Sequence, residues 1–404
     1  MSLASNGQPA MRARGVRPLP LLTLVNFFNY LDRQVVYGMT PLIGKEFSLS
    51  KFELGWLAAV NLIVFAAASL VSGPIADRVG PRKVIFLGIL VWSAATIGSA
   101  LAPSFPVLLF FRALVGIGEG AYGPSSNTIL CAAAPPDKRG RALAIYNVGM
   151  ALGGTGGLVL GTVLAPHVGW RGVFWIAGGP SVLLAVASAF IAAPDRLPRP
   201  HALPARAYLL SRAYVMTLLA GILVTFGASA LIFWSRWLLI ERRFSDDGAA
   251  LFIAFVGLAA TPLGVIAGGH AGDALNRRVR GGHSLAIGLS LLLAVPAGAL
   301  ALVVPSTLLF VVLSALTAFF LAVYHGPSAA VVDELGPPQF SATLQAVYLC
   351  GIHVLGNAPA PSVVGWIADR SSVSIALQAA VVAFGLSGVL YVMVARRQRC
   401  DPPG

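Results

Sequence analysis

Charged residues are scarce in this chain of 404 residues. They make up 11% of the sequence, while hydrophobic residues make up 57%. A soluble globular domain carries roughly 25% charged residues, so a soluble fold of this length would have too little polar surface to cover itself. Several apolar runs reach the roughly 20 residues that a helix needs to cross the hydrocarbon core of a bilayer. The composition excludes a soluble protein and predicts an all-α membrane protein.

Cysteine is also rare, with three in the whole chain. Cys131 and Cys350 fall in apolar segments and Cys400 in the C-terminal tail, a spacing that supports neither a disulfide framework nor a zinc site. The sequence also lacks a cluster of His and Cys ligands, a Walker loop and a nucleophile elbow. We therefore expect no enzymatic activity, no metal and no cofactor, and an ion gradient as the energy source for any transport.

The net charge of +13 does not indicate a nucleic-acid partner, because the basic residues lie in short loops between apolar runs. Of the 28 Lys and Arg residues, 19 lie on the side of the N-terminus and six on the opposite side. Cytoplasmic loops carry the excess of Lys and Arg, so both termini are predicted to be cytoplasmic. We expect no cleavable signal peptide, because the apolar run after the polar residues 1–17 is too long for one.

Breaks at Pro, Gly and charged residues divide the apolar sequence into twelve candidate spans. The only long polar connection, residues 194–212, is predicted to be a cytoplasmic linker. It separates an N-terminal six-helix bundle (18–193) from a C-terminal one (213–395), with an arm at 1–17 and a tail at 396–404. The candidate spans are 18–44, 52–76, 84–101, 106–134, 140–166, 170–193, 213–240, 248–272, 283–303, 306–335, 341–368 and 373–395.

Two spans carry residues that predict special packing. Pro359 and Pro361 break the backbone hydrogen bonds of the eleventh span and predict a kink there. The glycines predicted to permit close helix contact in the fifth span are Gly153, Gly154, Gly156, Gly157 and Gly161.

The two halves repeat each other. The segment AYGPSSNTILCAAAPPDKRGRALAIYNVG (121–149) aligns with VYHGPSAAVVDELGPPQFSATLQAVYLCG (323–351), and Tyr122 and Tyr146 match Tyr324 and Tyr348 at a constant offset of 202. A weaker echo of GPIADRVGPRK (73–83) occurs in GHAGDALNRR (269–278). Two homologous six-helix halves are typical of transporters that rock one half against the other around a central site.

The loop GPIADRVGPRK resembles the signature loop of the major facilitator superfamily, and the duplication fits that family. The segments NYLDR, RALVGIGEGAYGPS and SATLQAVYLCGIHVLGNAPAPSVVGWIADR resemble the spinster-like branch more narrowly. This resemblance implies two pseudo-symmetric bundles and export of lysolipids or sphingoid phosphates coupled to protons. NYLDR and the Gly-Glu-Gly of the fourth span also resemble organic-anion symporters of the same superfamily. Spinster-like proteins usually carry an acid where this chain has Asn357, which puts any role of that acid in doubt here.

Four charged residues lie at membrane depth in the first and fourth spans: Asp32, Arg33, Arg112 and Glu119. Seven residues of helix turn through about 700°, so Arg112 and Glu119 share one face, about 10 Å apart in depth. Charges at this depth are costly unless they pair or face a water-filled cavity, which predicts one mutual network.

We interpret Asp32 and Glu119 as proton-coupling sites and Arg112 as their modulating counter-ion. A carboxylate among apolar groups holds a proton more readily, and a nearby guanidinium opposes this. A permanently ionised cluster that holds the two spans together is the alternative. Arg33 lies about 100° around the helix from Asp32 and is predicted to reach towards the substrate.

The C-terminal half has no charged counterparts of Arg112 and Glu119. This asymmetry predicts that the N-terminal half carries protons and that the C-terminal half helps to hold an anionic headgroup. Arg236 could instead extend its head to the outer interface, and the histidines could be packing residues. The candidate substrate-binding residues of this half are Arg236, Tyr324, His325, His353 and Asn357.

The loop after the second span is predicted to form a cytoplasmic gate, whose basic residues also set the topology. Asp77 can accept hydrogen bonds from helix N-termini, and Arg78, Arg82 and Lys83 can pair with acids or helix ends. Asp273 is the equivalent acid of the other half, and it lacks the following arginine, so its gate should be weaker.

These features predict a proton-coupled secondary active transporter that works by alternating access and exports an anionic amphipathic lipid. A proton-coupled symporter of small organic anions and a multidrug exporter are the alternatives. A membrane receptor or scaffold would not need titratable groups inside a duplicated bundle. We expect a monomer in the cell membrane, the inner membrane if the source is bacterial, with only the substrate and membrane lipids as partners.

Overall fold

The computed structural model describes residues 16–133, 139–191, 206–336 and 341–400. Within these ranges the chain is helical, and extended pairing is limited to one isolated bridge between Val16 and Ile191. The predicted linker and the arm lie largely outside the described residues, and the side chain of Cys131 is not described. The chain divides into two compact units, residues 1–42 with 63–201 (unit 1) and residues 43–62 with 202–404 (unit 2). Residues 43–62, which the sequence assigned to the N-terminal bundle, therefore group with unit 2.

Five long helices cover the first half of the chain, and their limits match the predicted spans to within a few residues. The fifth includes Gly169 with φ 70° and ψ 160°, a conformation open essentially only to glycine. This break divides the fifth helix into the predicted fifth and sixth spans. The helices are α1 (Pro18–Phe47), α2 (Lys51–Val79), α3 (Pro81–Ala100), α4 (Phe105–Ala133) and α5 (Arg139–Ser188).

The second half contains the remaining six spans, several of them interrupted. Its helices are α6 (Arg206–Leu209), α7 (Arg212–Glu241), α8 (Asp246–Phe255), α9 (Thr261–Arg278), α10 (Gly282–Val303), α11 (Thr307–Ala322), α12 (Ser328–Asp333), α13 (Ser341–Gly351), α14 (Ala360–Ala368), α15 (Val373–Ala376) and α16 (Gln378–Cys400). A π-helix at Val256–Ala260 joins α8 to α9, a 3₁₀ turn at Val323–His325 follows α11, and a second π-helix at Ile352–Asn357 follows α13.

The described residues include ten segments long and apolar enough to cross a membrane. One of them, Ile145–Ser188, holds the two spans divided at Gly169. Together with α1, which is 30 residues long, they make up the twelve predicted spans. The fold is therefore the predicted all-α membrane architecture.

A glycine stripe sets the distance between α1 and α5. Gly149, Gly153, Gly157 and Gly161 recur every fourth residue, and a Cβ atom at each would lie only 2.1–2.4 Å from a backbone oxygen of α1. Small residues at such spacing allow helix backbones to approach closely. Of the glycines that the sequence predicts as packing residues, Gly153, Gly157 and Gly161 belong to this stripe. A Cβ atom at Gly154 would instead lie 3.0 Å from the side chain of Gln34, and one at Gly156 would be in ordinary van der Waals contact with Phe27.

The eleventh span, for which a kink is predicted, is interrupted by the second π-helix. Pro361 lacks an N–H group, so it leaves the carbonyl of Asn357, four residues back, without its helical donor. Ser229 of α7 donates its hydroxyl to that carbonyl at 3.0 Å. The hydroxyl of Thr225 on α7 donates to the carbonyl of Gly221 in its own helix at 2.8 Å and also lies 3.2 Å from the carbonyl of Ile352. Hydroxyl groups of α7 thus stabilise the irregular backbone that the prolines create.

Arginines on the predicted outer side bind carbonyl groups at helix C-termini. Arg171 donates to the carbonyl of Ala102 at 3.0 Å, and Arg242 donates to that of Ala301 at 2.8 Å. Arg370 donates to the carbonyl of Trp366 at 3.0 Å. Partial burial lowers the pKa of the Arg242 guanidinium, an effect that the neighbouring Glu241 carboxylate opposes. Cations are stabilising at helix C-termini, which accounts for several of the basic residues on this side.

Two carboxylates cap helix N-termini within unit 2. Asp369 accepts the backbone N–H groups of Lys51 and Phe52 at 2.8 and 3.0 Å, at the start of α2. Glu241 accepts those of Val373 and Ser374 at 2.8 and 3.2 Å, at the start of α15. Each cap satisfies donors that have no partner inside the helix.

Candidate functional site

The candidate site lies within unit 1, where α1 presents two charged residues in succession. Adjacent residues of a helix point about 100° apart, so Asp32 and Arg33 meet different neighbours. Both are buried, with 1% and 6% of their surface exposed. Their partners, Arg112 and Glu119, both lie on α4 and are each 1% exposed. The four charges that the sequence placed at membrane depth are therefore all buried in one unit.

Asp32 lies between α3 and α4. Its Oδ2 atom accepts a hydrogen bond of 2.8 Å from the hydroxyl of Thr96 and lies 3.7 Å from Nη1 of Arg112. That second distance is too long for a hydrogen bond, so the Arg112 contact is an ion pair without one. The Cζ atom of Arg112 is 6.0 Å from the ring centroid of Phe174, which places an apolar wall beside the pair.

Arg33 forms the second ion pair. Its Nη2 and Nε atoms donate to Oε2 of Glu119 at 2.8 and 3.1 Å. Its guanidinium carbon lies 4.9 Å from the ring centroid of Tyr30 and 4.5 Å from that of Phe65. The positive charge is therefore held by one carboxylate and two aromatic faces, which attract a cation.

The network contains two cations and two carboxylates, so it is neutral when both acids are ionised. Among the described residues, neither Oδ1 of Asp32 nor Oε1 of Glu119 has a hydrogen-bond partner. Buried polar atoms normally have one. Each acid therefore has one oxygen engaged and one free to carry a proton.

The pairing could not be read from the sequence. The spacing of Arg112 and Glu119 suggested that these two residues would act together, but each pairs with a residue of α1. The arginine side chains are long enough for neighbouring α1 residues to reach positions two turns apart on α4. Arg33, which was expected to reach towards the substrate, has its guanidinium on Glu119. Its role in substrate binding remains a prediction.

Arg236 and Tyr324, two candidates of the C-terminal half, are buried within unit 2. The side chain of Arg236 is 9% exposed and pairs with Asp246, the first residue of α8. The Tyr324 hydroxyl lies 2.7 Å from that of Tyr348, which lies 3.1 Å from that of Tyr391. Each has partners inside the unit, and contact with substrate remains a prediction for both.

His325, His353 and Asn357 lie in the irregular segments of the tenth and eleventh spans. His325 ends the 3₁₀ turn and is exposed. His353 and Asn357 belong to the second π-helix and are partly exposed, and Nδ1 of His353 lies 2.8 Å from the carbonyl of Leu349 in its own helix. Single-turn π segments are often found at functional sites, so His353 and Asn357 remain candidates for substrate contact, and contact with substrate at His325 remains a prediction.

The predicted gate residues are only partly described. Asp77 lies at the end of α2, and its side chain is outside the described part of the structure. Arg78 and Lys83 are exposed and Arg82 is partly exposed. Their pairing in a closed gate remains a prediction.

Asp273 belongs to a polar cluster that the sequence did not indicate. Nε2 of His283 lies 3.2 Å from Asp273, and its Nδ1 lies 2.6 Å from Glu334. Both ring nitrogens of His283 thus face carboxylate oxygens. The cluster ties the ends of α9 and α12 to the start of α10 within unit 2.

Thr96 is the site residue that sequence reasoning missed. A single threonine in an apolar helix carries no signal, because buried hydroxyls usually donate to a carbonyl of their own helix. Among the described residues, no group of three or more His, Cys, Asp or Glu is placed to hold a metal ion, and the absence of a cofactor remains a prediction.

Comparison with known proteins assigns the family. A family model described as the Major Facilitator Superfamily matches residues 22–361. The chain belongs to the Major Facilitator Superfamily. It is a multi-pass membrane transporter and not an enzyme.

Individual relatives include several kinds of transporter. An MFS-type efflux pump of Mycolicibacterium smegmatis is 28% identical over 400 residues, covering 94% of this chain and 92% of that protein. Protein spinster homolog 3 of Danio rerio is 25% identical over 385 residues, covering 87% and 76%. Several other relatives match over less than two thirds of their own length. The 3-(3-hydroxy-phenyl)propionate transporter of Escherichia coli, 28% identical over 254 residues, matches over 60% of this chain and 62% of that protein.

Solved structures agree with the fold. A bacterial homolog of the human lysosomal transporter Spinster, solved in an inward-facing and unoccupied conformation, superposes with a TM-score of 0.85. It is 23% identical, and the superposition covers 96% of this chain and 98% of that one. A D-xylose–proton symporter superposes with a TM-score of 0.75 at 16% identity, covering 95% of this chain and 99% of that one. At these identities the structures establish the fold, and the presence of spinster proteins among the relatives confirms the resemblance drawn from the motifs.

Proposed function

We propose that the protein is a proton-coupled secondary active transporter of an anionic amphipathic lipid, such as a lysophospholipid or a sphingosine-phosphate-like lipid. It works by alternating access, without a cofactor. The observation that carries the proposal is the pair of buried ion pairs on α1 and α4, each with one carboxylate oxygen to which no described residue donates a hydrogen bond. A structural ion pair would gain from further hydrogen bonds to both oxygens.

Charge balance links the proton to an anion. Arginine remains charged at any accessible pH. When Glu119 takes up a proton, the network carries one net positive charge and Arg33 loses its counter-ion. A buried, unpaired guanidinium is strongly disfavoured, so an anionic headgroup that replaces the Glu119 carboxylate stabilises this state. Protonation of Glu119 and binding of the anion thus favour each other, and Arg33 binds the Glu119 carboxylate and the anionic headgroup in turn.

The coupling sets a direction. Because protonated transporter binds the anion more tightly, proton and lipid move together, away from the more acidic side. Export, as expected from the sequence, requires the cytoplasmic side to be the more acidic one; where the outer side is more acidic, the same coupling drives uptake. We propose the cell membrane as the location, the inner membrane if the source is bacterial, and a monomer as the working form.

The surroundings of Arg33 support an amphipathic substrate. Its guanidinium lies against the rings of Tyr30 and Phe65, so a headgroup bound there would have apolar surfaces beside it for a chain. Among the relatives, a protein of Arabidopsis thaliana described as a probable sphingolipid transporter, spinster homolog 1, is 27% identical over 209 residues. That alignment covers 47% of this chain and 42% of the Arabidopsis protein.

The alternative is a proton-coupled symporter of small organic anions or a multidrug exporter. The propionate-type substrate named for the Escherichia coli relative and the efflux pump aligned over most of the chain favour it. A small carboxylate could likewise replace the Glu119 carboxylate at Arg33, and it would need no apolar surface beside the guanidinium.

Flux in proteoliposomes tests the proposal. Labelled lysophospholipid is loaded on one side, pH gradients of both signs are imposed, and wild type is compared with Asp32→Asn and Glu119→Gln. Gradient-dependent flux from the acidic side in wild type, lost in both variants, is expected. Glu53→Gln is the matched control, because that acid caps its own helix at an exposed position and should leave flux unchanged. Lysolipid flux that ignores the gradient would refute proton coupling, and pH-driven flux of small carboxylates alone would favour the alternative.

A further inference from the structure

Thr96 differs from the other buried hydroxyl residues of unit 1. Ser99 donates to the carbonyl of Ala95, and Thr162 donates to that of Leu158, each four residues back in its own helix. Thr96 instead donates across to Asp32 of α1 at 2.8 Å. Both side chains are buried, with 0% and 1% exposed. This hydroxyl therefore forgoes the usual backbone acceptor for a titratable side chain.

The contact favours one protonation state of Asp32. A hydrogen bond donated to a carboxylate stabilises its ionised form. When Asp32 is protonated, the hydroxyl can turn back to the carbonyl of Trp92, four residues back, as the hydroxyls of Ser99 and Thr162 do in their own helices. The charged groups that act on Asp32 are Arg33 from its own helix and Arg112 and Glu119 from α4, and α3 contributes the Thr96 hydroxyl.

A neighbouring glycine holds Thr96 in place. A Cβ atom built at Gly178 would lie 3.1 Å from Cγ2 of Thr96 and 3.1 Å from Cγ1 of Ile97, so the α5 backbone at that point packs against the threonine methyl group and against Ile97. The methyl group therefore limits rotation of the side chain and keeps the hydroxyl directed at Asp32. The next residue, Gly179, has nothing within 4 Å of its hypothetical Cβ.

We propose that Thr96 is a positioning residue for the proton site, and that its hydroxyl sets the pH range over which Asp32 takes up its proton. This inference rests on the proposed function, because it assigns a role within the same network. Thr96 acts through Asp32 and needs no contact with substrate.

Infrared difference spectroscopy of the purified protein in nanodiscs tests it without knowledge of the substrate. The readout is the C=O band of the protonated Asp32 carboxyl, defined as the band that Asp32→Asn removes, and its midpoint is followed across pH. Thr96→Val removes the donor and should move the midpoint to higher pH by about one unit. Thr96→Ser keeps the donor and should lie closer to wild type.

Two glycine variants give an independent measurement that keeps the hydroxyl. Gly178→Ala presses on the threonine methyl and should move the midpoint in the same direction by less than Thr96→Val does. Gly179→Ala and Ser99→Ala are the controls and should leave it unchanged. If Thr96→Val does not fold, the comparison of Gly178→Ala with Gly179→Ala decides the question.

The outcomes separate this inference from the proposed function. A midpoint in Thr96→Val equal to that of wild type, while Asp32→Asn still abolishes proton-driven flux, overturns the role of Thr96 alone. Proton-driven flux that persists in Asp32→Asn overturns the proposed proton site and the role of Thr96 with it.

Discussion

Breaking the Arg33–Glu119 pair should destabilise the protein far more than removing both partners together. Glu119→Gln keeps the shape of the side chain but leaves the Arg33 cation buried, with its side chain 7% exposed. Removing one partner of a buried pair costs about 3–5 kcal/mol. The rings of Tyr30 and Phe65 lie within 5 Å of the guanidinium carbon and offset about 1 kcal/mol of this loss. We expect Glu119→Gln to lower the free energy of unfolding by about 2–4 kcal/mol.

The reverse variant differs in its dependence on pH. Arg33→Gln leaves a buried carboxylate, which can lose its charge by taking up a proton. Its loss of stability should therefore shrink as the pH falls, whereas that of Glu119→Gln should stay constant because arginine cannot shed its charge. The double variant Arg33→Gln/Glu119→Gln carries neither charge and should come within about 1 kcal/mol of wild type.

A double-mutant cycle measured by reversible unfolding in mixed detergent micelles checks these values. Lys51→Gln is the control, because the Lys51–Asp369 pair spans 4.0 Å with both side chains 25% exposed. Such a pair contributes about 1 kcal/mol or less. A coupling energy between Arg33 and Glu119 of about 1 kcal/mol or less, the value expected of an exposed pair, would refute the argument from charge balance on which the proposed function depends.

Three further predictions concern the scaffold around the site. Gly157→Ala should lower the thermal stability by several degrees, because its Cβ would lie 2.3 Å from a backbone oxygen of α1, whereas Gly156→Ala, with contacts at 3.9 Å, should not. Asp369→Asn should increase hydrogen exchange at the start of α2 by removing two accepted N–H bonds, and Glu241→Gln should do so only at the start of α15. Ser229→Ala leaves a backbone carbonyl of the second π-helix without its donor and should destabilise the protein by about 1–3 kcal/mol in the same unfolding assay.

The positions of the helices followed closely from the sequence, because apolar length and helix breakers are local properties. The predicted span 213–240 is α7, Arg212–Glu241, and 283–303 is α10, Gly282–Val303. The irregular segments within the spans were predicted less well from the sequence. Pro359 and Pro361 indicated a kink, but the π-helix at Ile352–Asn357 also depends on hydroxyl donors from α7, which lies more than a hundred residues earlier.

The glycines of α5 show the same limit. Composition indicated that several of them permit close packing, yet only the face turned towards α1 decides which do. Gly149 completes the stripe and was not among the predicted packing residues, while Gly156, one position from Gly157, is in ordinary contact. Helix rotation is fixed by the packing of the neighbouring helices, which sequence periodicity alone did not resolve.

The sequence by itself determined the membrane class, the spans, the duplication and the presence of Asp32, Arg33, Arg112 and Glu119 at membrane depth. These depend on composition and on spacing along one chain. Only the tertiary structure decided that Arg33 pairs with Glu119 and that Asp32 meets both Arg112 and Thr96. Such partners depend on the relative rotation and depth of α1, α3 and α4, because a hydrogen bond tolerates errors of only a few tenths of an ångström, far less than one helical residue step of about 1.5 Å.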